Sequence, residues 1–279
     1  MASQNKRKRP VPPFIQERSR HLHAFLQALC ISERETLWFR LIDDVPSPPL
    51  SKKIAINLSR PYKDIEKSVL HVRFTNSRNI LINPYQSNIK GYGVHMVING
   101  GGTKNENIRR IRAHFIDVDL NKRTAQALSH EEADAIAEAW KHDTEDPVIH
   151  VSYKESGGLF YLTGVRTESH VQHLKQQFLQ QHMPDLADAM IVETLNGYHI
   201  YWPIRNGDIK QFPLIQQALS RKFQSDPNIW NLSRTMRVPG YYHMKNPHRP
   251  FMLQIIQPGR TTPFTQDELI NRLTLTLES

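Results

Sequence analysis

The stretch AHFIDVDLNKR, residues 113–123, places two aspartates in an otherwise apolar, strand-like run. Asp117 and Asp119 are two positions apart, so on a β-strand both carboxylates share one face, while Ile116, Val118 and Leu120 take the other. Neighbouring carboxylates repel one another and resist burial without compensation. A divalent cation supplies it, and hard oxygen ligands suit Mg²⁺ or Mn²⁺. A solvated strand end supplies it too, with Asp119 capping the turn or pairing with Arg112 or Lys122. Spacing alone leaves both readings open.

Two later segments carry groups suited to phosphate. In IVETLNGYHIYWPI, His199 shares a strand face with Tyr201, while Tyr198, Ile200 and Trp202 point the other way. A histidine leaving the tight LNG turn is placed to donate to a phosphate oxygen, or to sit half-buried as a packing residue. The segment SDPNIWNLSRTMRVPGYYHMK supplies Asp226, a candidate third carboxylate, and the cations Arg234, Arg237 and Lys245. These cations can neutralise a triphosphate or pair with surface acids. The Pro239–Gly240 turn redirects the chain and returns Lys245 toward the arginines.

Elements must hold these residues together. Residues 1–13 read as a disordered basic tail, and apolar spacing from Phe14 predicts a helix running toward the strand-like LWFRLI. A proline-rich connection, DDVPSPPLSKK, follows. A weak helix over 61–68 and strands at LHVRFT, 79–85 and 92–99 lead into the glycine-rich NGGGTKNEN. SHEEADAIAEAWK predicts a helix with Ser129 and Glu132 spaced as a capping box. Two hairpins, VIHVSY/LFYLTGV and MIVETL/YHIYWPI, flank a helix around 168–182; further helices are expected near 209–223 and 265–274. Helices mixed with hairpins, without regular βαβ alternation, give an α+β fold. The expected division is an N-terminal helical or α+β portion at 14–75, a core at 76–260, and a C-terminal helix at 261–279.

Composition narrows the setting. The 279 residues contain 36 Lys and Arg against 27 Asp and Glu, a net charge of +9 that favours an anionic partner such as nucleic acid. A single cysteine, Cys30, excludes disulfide scaffolds and thiolate zinc sites and is compatible with a reducing, cytoplasmic setting. No apolar run approaches the ~20 residues of a membrane helix, so no membrane partner is expected. NKRKRP near the N-terminus has no apolar segment behind it and does not read as a secretory signal.

In combination these segments resemble the archaeo-eukaryotic primase superfamily, in particular the RepB-like and phage-type primase–polymerases of mobile elements such as plasmids. The motifs stand in that family's order over roughly residues 75–255: the acidic strand FIDVD, the hairpin VETLNGYHIYW, then SDP and SRTMRVPG, then YYHMKNP. Family members often carry a small or serine-like residue where Gly197 stands and an acid where Asn231 stands, so the third carboxylate is assigned to Asp226. The resemblance implies a core of mixed and antiparallel sheets, an RRM-like module beside an N-terminal α/β module, flanked by helices. It also implies two-metal nucleotidyl transfer, with Asp117, Asp119 and Asp226 holding Mg²⁺ or Mn²⁺, and His199, Arg234, Arg237 and Lys245 binding the triphosphate. The implied partners are single-stranded DNA template, nucleoside triphosphates and a separate or downstream helicase. Tyr198, Trp202, Tyr241 and Tyr242 are candidates for stacking on bases.

Three other readings compete. NGGGTKNE lacks the spacing of a phosphate-binding P-loop and reads as a mobile connector. His21-Leu22-His23 with the Tyr241-Tyr242 pair is similar to the metal site and nucleophile of rolling-circle nucleases, although here the histidines lie in a helical pattern. A replication initiator or single-strand binder that has kept a primase-like fold without catalysis fits the charge equally well.

Overall fold

The computed structural model describes residues 13–44, 55–65 and 72–277. The basic tail at 1–12 and most of the proline-rich connection, at 45–54, lie outside them. The chain begins with α1 (Pro13–Ala28), followed by β1 (Thr36–Asp43), β2 (Ala55–Pro61), β3 (Phe74–Asn76), β4 (Leu81–Ile82), α2 (Pro84–Ile89) and β5 (Tyr92–Val97). The acidic strand is β6 (Ile111–Asp119), followed by β7 (Lys122–Ala127), α3 (His130–His142), β8 (Val148–Ser156), β9 (Leu159–Arg166) and α4 (Glu168–Leu186). Then come β10 (Met190–Glu193), β11 (Gly197–Gly207), α5 (Phe212–Phe223), β12 (Thr235–Arg237), β13 (Tyr242–His243), β14 (Phe251–Met252), β15 (Gln254–Gln257) and α6 (Gln266–Arg272).

The fold is α+β, and its sheets pair antiparallel. A six-stranded sheet has the order β12-β5-β1-β2-β3-β4, and a four-stranded sheet has the order β15-β10-β11-β6. The larger sheet takes β1 and β2 from before residue 75 and β5 and β12 from after it, so both sides of that boundary build one wall. β1 shows how sequence sets this wall: Leu37, Phe39 and Leu41 are buried, which turns Arg40 to the opposite face.

β6 is buried on both faces up to Ile116 and opens only at its end, where Asp117 is half-buried and Asp119 exposed. On one face, His114 lies between Gln216 of α5 (3.0 Å) and Gln266 of α6 (3.1 Å). On the other, Phe115 packs near Tyr201, which Phe25 of α1 meets edge-on at 5.3 Å between ring centroids. The acids therefore emerge from a strand clamped by helices on both sides.

Several local expectations change. The segment 79–85 forms only the two-residue β4, because Asn83 accepts a hydrogen bond from the Gln86 amide (2.9 Å) and Pro84 opens α2. The helix expected over 61–68 is a single 3₁₀ turn at Tyr62–Asp64, and 66–71 lie outside the described residues. The Ser129 hydroxyl caps α3 by accepting from the Glu132 amide (3.1 Å), but the Glu132 carboxylate bonds the Leu128 amide (2.7 Å), so the box is shifted by one residue. The polar KRTAQA forms β7, a strand without an apolar signal, held by pairing with β9 in a separate sheet of order β7-β9-β8.

Candidate active site

The ladder between β6 and β11 sets the site. His199 is paired with Asp117 and Gly197 with Asp119. A Cβ on residue 197 would overlap the Val118 carbonyl, so glycine is what lets β11 approach the acidic strand at this point. That close approach leaves no room for a side chain at position 197. His199 Nε2 lies 3.7 Å from Asp117 Oδ1. Burial, and then the charges of Arg237, His95 and Arg234, push the His199 pKa down to about 3, so its ring is neutral. Burial, and then the charges of Asp119 and Asp226, push Asp117 up to about 6 against the opposing pull of Arg234 and Arg237.

Asp119 uses one oxygen to accept from the Asn121 amide (3.1 Å), so the turn-capping reading holds for that atom. Arg112 does not reach it; that guanidinium is buried against Glu35 at 2.9 Å. Asp226 arrives beside Asp117 through its own amide, which donates to the Asp117 carbonyl (3.1 Å). Its carboxylate, however, is bound by Arg234 Nη2 at 2.9 Å and accepts from the Asn228 amide at 2.9 Å. Asp226 is thus a neighbour of the acidic pair whose carboxylate is already engaged by Arg234. Among the described residues no three His, Cys, Asp or Glu side chains are gathered closely enough to enclose an ion. The donor set nevertheless fits a hard divalent cation: Asp117 and Asp119 share a face, and their mutual repulsion is only partly offset.

A cationic wall faces these acids from the larger sheet. Arg237 of β12 is gripped by Asp44 through two parallel bonds, Nη1 to Oδ2 and Nη2 to Oδ1, both 2.7 Å. Asp44 also accepts from the Met244 amide at 3.2 Å. Burial opposes ionisation of Asp44, but the Arg237 fork outweighs it and holds the carboxyl below its ordinary range. Sequence reading missed Asp44, because 193 residues separate it from its partner. It also missed Arg40 and His95, which lie on neighbouring strands of the same wall.

Three cavities meet at Asp117. The first, of 630 Å³ between the two sheets, is lined by Arg40, His95, Lys104, His199, Arg234 and Arg237. A second, of 170 Å³, joins Asp117 and Asp119 to His199, His243 and Lys245. Gly240 makes the turn that brings Lys245 there, with φ +84° and no room for a Cβ beside the Arg18 carbonyl. The third, of 880 Å³, carries all three acids and extends to Lys122, Thr124 and Gln181. The structure thus brings Asp117, Asp119, Asp226, His199, Arg234, Arg237 and Lys245 into adjoining cavities, with the Asp226 carboxylate engaged by Arg234.

Other expectations are corrected. Lys104 of the glycine-rich segment lines the first cavity, and Asn105 accepts from the Ser233 amide (3.0 Å) and hydroxyl (2.8 Å), so the segment is tied to the arginine loop and is no free connector. Tyr198, Trp202 and Tyr241 are buried in the core and unavailable for stacking on bases, and Tyr242 lies under the Arg18 guanidinium at 4.6 Å. The nuclease reading fails on the same geometry: His21 is buried in α1, where its Nδ1 accepts from the Ile255 amide (3.1 Å), and the Tyr241 hydroxyl is enclosed.

No family model and no curated protein matches the chain. Among solved structures it is similar to the AEP domain of the cyanophage S-2L primase–polymerase, with 15% identity, a TM-score of 0.46, and coverage of 91% of this chain and 97% of that one. It is also similar to primase RepB′ at 12% identity and TM-score 0.44, covering 93% of this chain and spanning 62% of that protein. A third likeness is to the catalytic domain of primase RepB′ in complex with initiator DNA, at 11% identity and TM-score 0.42, with 94% of each chain covered. These likenesses concern the course of the chain; the chemistry rests on the residues themselves.

Proposed function

We propose that this chain is a nucleotidyltransferase that copies single-stranded DNA, a primase or primase–polymerase. One observation carries the reading: Asp117, at the end of a strand on one sheet, lines a cleft together with Arg40, Arg237 and Lys104, and Asp119 stands beside it in the adjoining cavity. Acids on one wall and cations on the other, across a gap of this size, suit a nucleoside triphosphate and a cation between them.

A divalent cation held by Asp117 and Asp119 would lower the pKa of an attacking 3′-hydroxyl and neutralise the leaving pyrophosphate. Arg237, fixed in direction by Asp44, offers its charge to the triphosphate without having to reorganise. Neutral His199 can donate one N–H to a phosphate oxygen beside Asp117. Arg234 holds Asp226 against the acidic strand and lends charge to the same cavity, and Lys245 adds a cation on the far side of His199. Strand separation would come from a partner helicase or from further chain, as in replication of a plasmid or phage.

The test is incorporation of labelled nucleotides on a single-stranded template with Mg²⁺ or Mn²⁺, comparing wild type with Asp117→Ala/Asp119→Ala. Product from wild type alone supports the reading. The competing reading is a single-strand binder without catalysis, favoured by the Asp226–Arg234 ion pair that occupies one of the three acids. Absence of product from wild type under every nucleotide mix, primed or unprimed, selects it.

A further inference from the structure

The sheet β7-β9-β8 adds nothing to the walls of the nucleotide cavity, yet β7 leaves directly from the acidic strand. Its register sorts its side chains into two unlike faces. Arg123, Ala125 and Ala127 of β7 stand beside Gly164, Leu162 and Phe160 of β9. This face is covered by α3, whose Trp140 and Ala133 join Ala127 and Leu162 in a small separate core.

The opposite face is open and contains no carboxylate. Its first row is Lys122, Val165 and His150; the second is Thr124, Thr163 and Ser152; the third is Gln126, Tyr161 and Lys154. Lys122, Thr124, Gln126, Tyr161, Ser152 and Lys154 are all exposed, with Tyr161 at 42%. Neither lysine has a carboxylate partner among the described residues. Strand rise and spacing put these lysines at opposite corners, roughly 16 Å apart, with the tyrosine ring beside one of them. The same face enters the active site, because Lys122 and Thr124 line the 880 Å³ cleft together with Asp117, Asp119 and Asp226.

We infer that this open face is the platform on which the single-stranded DNA template lies as it runs into the cleft at Asp117. The inference rests on the nucleotidyl-transfer reading and supplies the strand-binding surface which that reading requires. Three features favour a single strand: cations without competing acids attract phosphates, hydroxyl and amide groups hydrogen-bond sugars and base edges, and an exposed tyrosine ring stacks on an unpaired base. A duplex hides its base faces and cannot use Tyr161 in this way. Of the aromatic residues first expected to stack, Tyr198, Trp202 and Tyr241 are in the core and Tyr242 is covered by Arg18, whereas Tyr161 is exposed.

The test titrates the full chain into a fluorescein-labelled 20-residue oligothymidylate and follows anisotropy from low to moderate salt. Lys122→Ala/Lys154→Ala should weaken binding about tenfold or more and reduce the slope of log affinity against log salt by about 1.4, or about 0.7 for each phosphate left without its lysine. Tyr161→Ala should weaken binding at least about fivefold, while Tyr161→Phe, which keeps the ring, should stay within about twofold of wild type. All three positions are exposed, and unchanged circular dichroism and melting would exclude misfolding as the cause. Unchanged affinity and slope in the double lysine variant overturns the inference, as does equal competition by unlabelled duplex. If that variant binds normally while Asp117→Ala/Asp119→Ala abolishes incorporation, the strand runs elsewhere and the functional reading stands. If the lysine and tyrosine variants lose DNA but wild type never incorporates nucleotide, the platform stands and the enzymatic reading falls.

Discussion

His199 and Asp117 are register partners on β11 and β6, with Nε2 3.7 Å from Oδ1. One backbone ladder therefore fixes both the acid that suits a cation and the ring that suits a phosphate. His199→Ala should raise the nucleotide KM about 10- to 100-fold, the loss expected for one hydrogen bond to a charged group. His199→Asn, which keeps a donor, should recover part of it. Steady-state incorporation against nucleotide concentration measures both, and equal KM for all three proteins would remove His199 from the site.

The acidic pair sets a pH dependence whose sign can be worked out. Folding raises the Asp117 pKa from 3.8 to about 6, so the native state holds more protons between those values. Its contribution to stability is fully present below the unfolded value and is lost as pH rises through about 6. His95 and His199, lowered to about 3, and His243, lowered to about 4, have the opposite sign. Their contribution is present above the ordinary histidine value of 6.5 and is lost as pH falls toward the lowered values. Melting curves in a chelator should therefore show Asp117→Asn gaining on wild type as pH rises from about 4 to about 7. Parallel profiles for the two proteins would contradict the assignment.

Asp44 is buried and gives both oxygens to Arg237. Removing it as Asp44→Ala leaves a guanidinium partly buried without its partner, a loss of about 3 kcal/mol. Thermal denaturation should show that loss, with Asp44→Asn intermediate. Because the same contact aims Arg237 into the nucleotide cavity, the nucleotide KM should rise as well. A stable Asp44→Ala protein with normal KM would make the pair incidental.

Gly197→Ala tests the close approach of the two central strands. The added methyl meets the Val118 carbonyl, and β11 must shift from β6 to relieve it. A loss of about 2 kcal/mol is expected, typical of overpacking, together with reduced incorporation because Asp117 and His199 separate. Wild-type melting and activity would show that the ladder tolerates a side chain there.

The long periodic elements were legible because apolar pattern and capping agree with the fold: α3 after Ser129, α5 near 209–223, and the β10–β11 hairpin. The site residues were legible because most sit within a few positions of a strand end or turn. What was not legible depends on distance in sequence. Nothing local marks Asp44 as the partner of a residue 193 positions away, or β7 as a strand before β9 pairs with it. Exposure was equally hidden: Tyr198 and Tyr161 both lie in hairpin arms, and only packing decides that the first is buried and the second open. Asp226 was legible as a neighbour of the acidic pair, but the Arg234 fold-back that engages its carboxylate was not, because it is a loop contact.

The most direct measurement sets the two sides of the cleft against each other in steady-state incorporation on a primed single-stranded template. Asp117→Asn should lower kcat by on the order of 10³-fold, the several kcal/mol that a positioned cation contributes, with KM within a few-fold of wild type. Arg237→Lys, which keeps the charge but loses the fork, should raise the nucleotide KM about tenfold with kcat largely retained. Wild-type turnover in Asp117→Asn, or a change confined to KM in both variants, would contradict the division of the cleft into an acidic reacting side and a cationic triphosphate side.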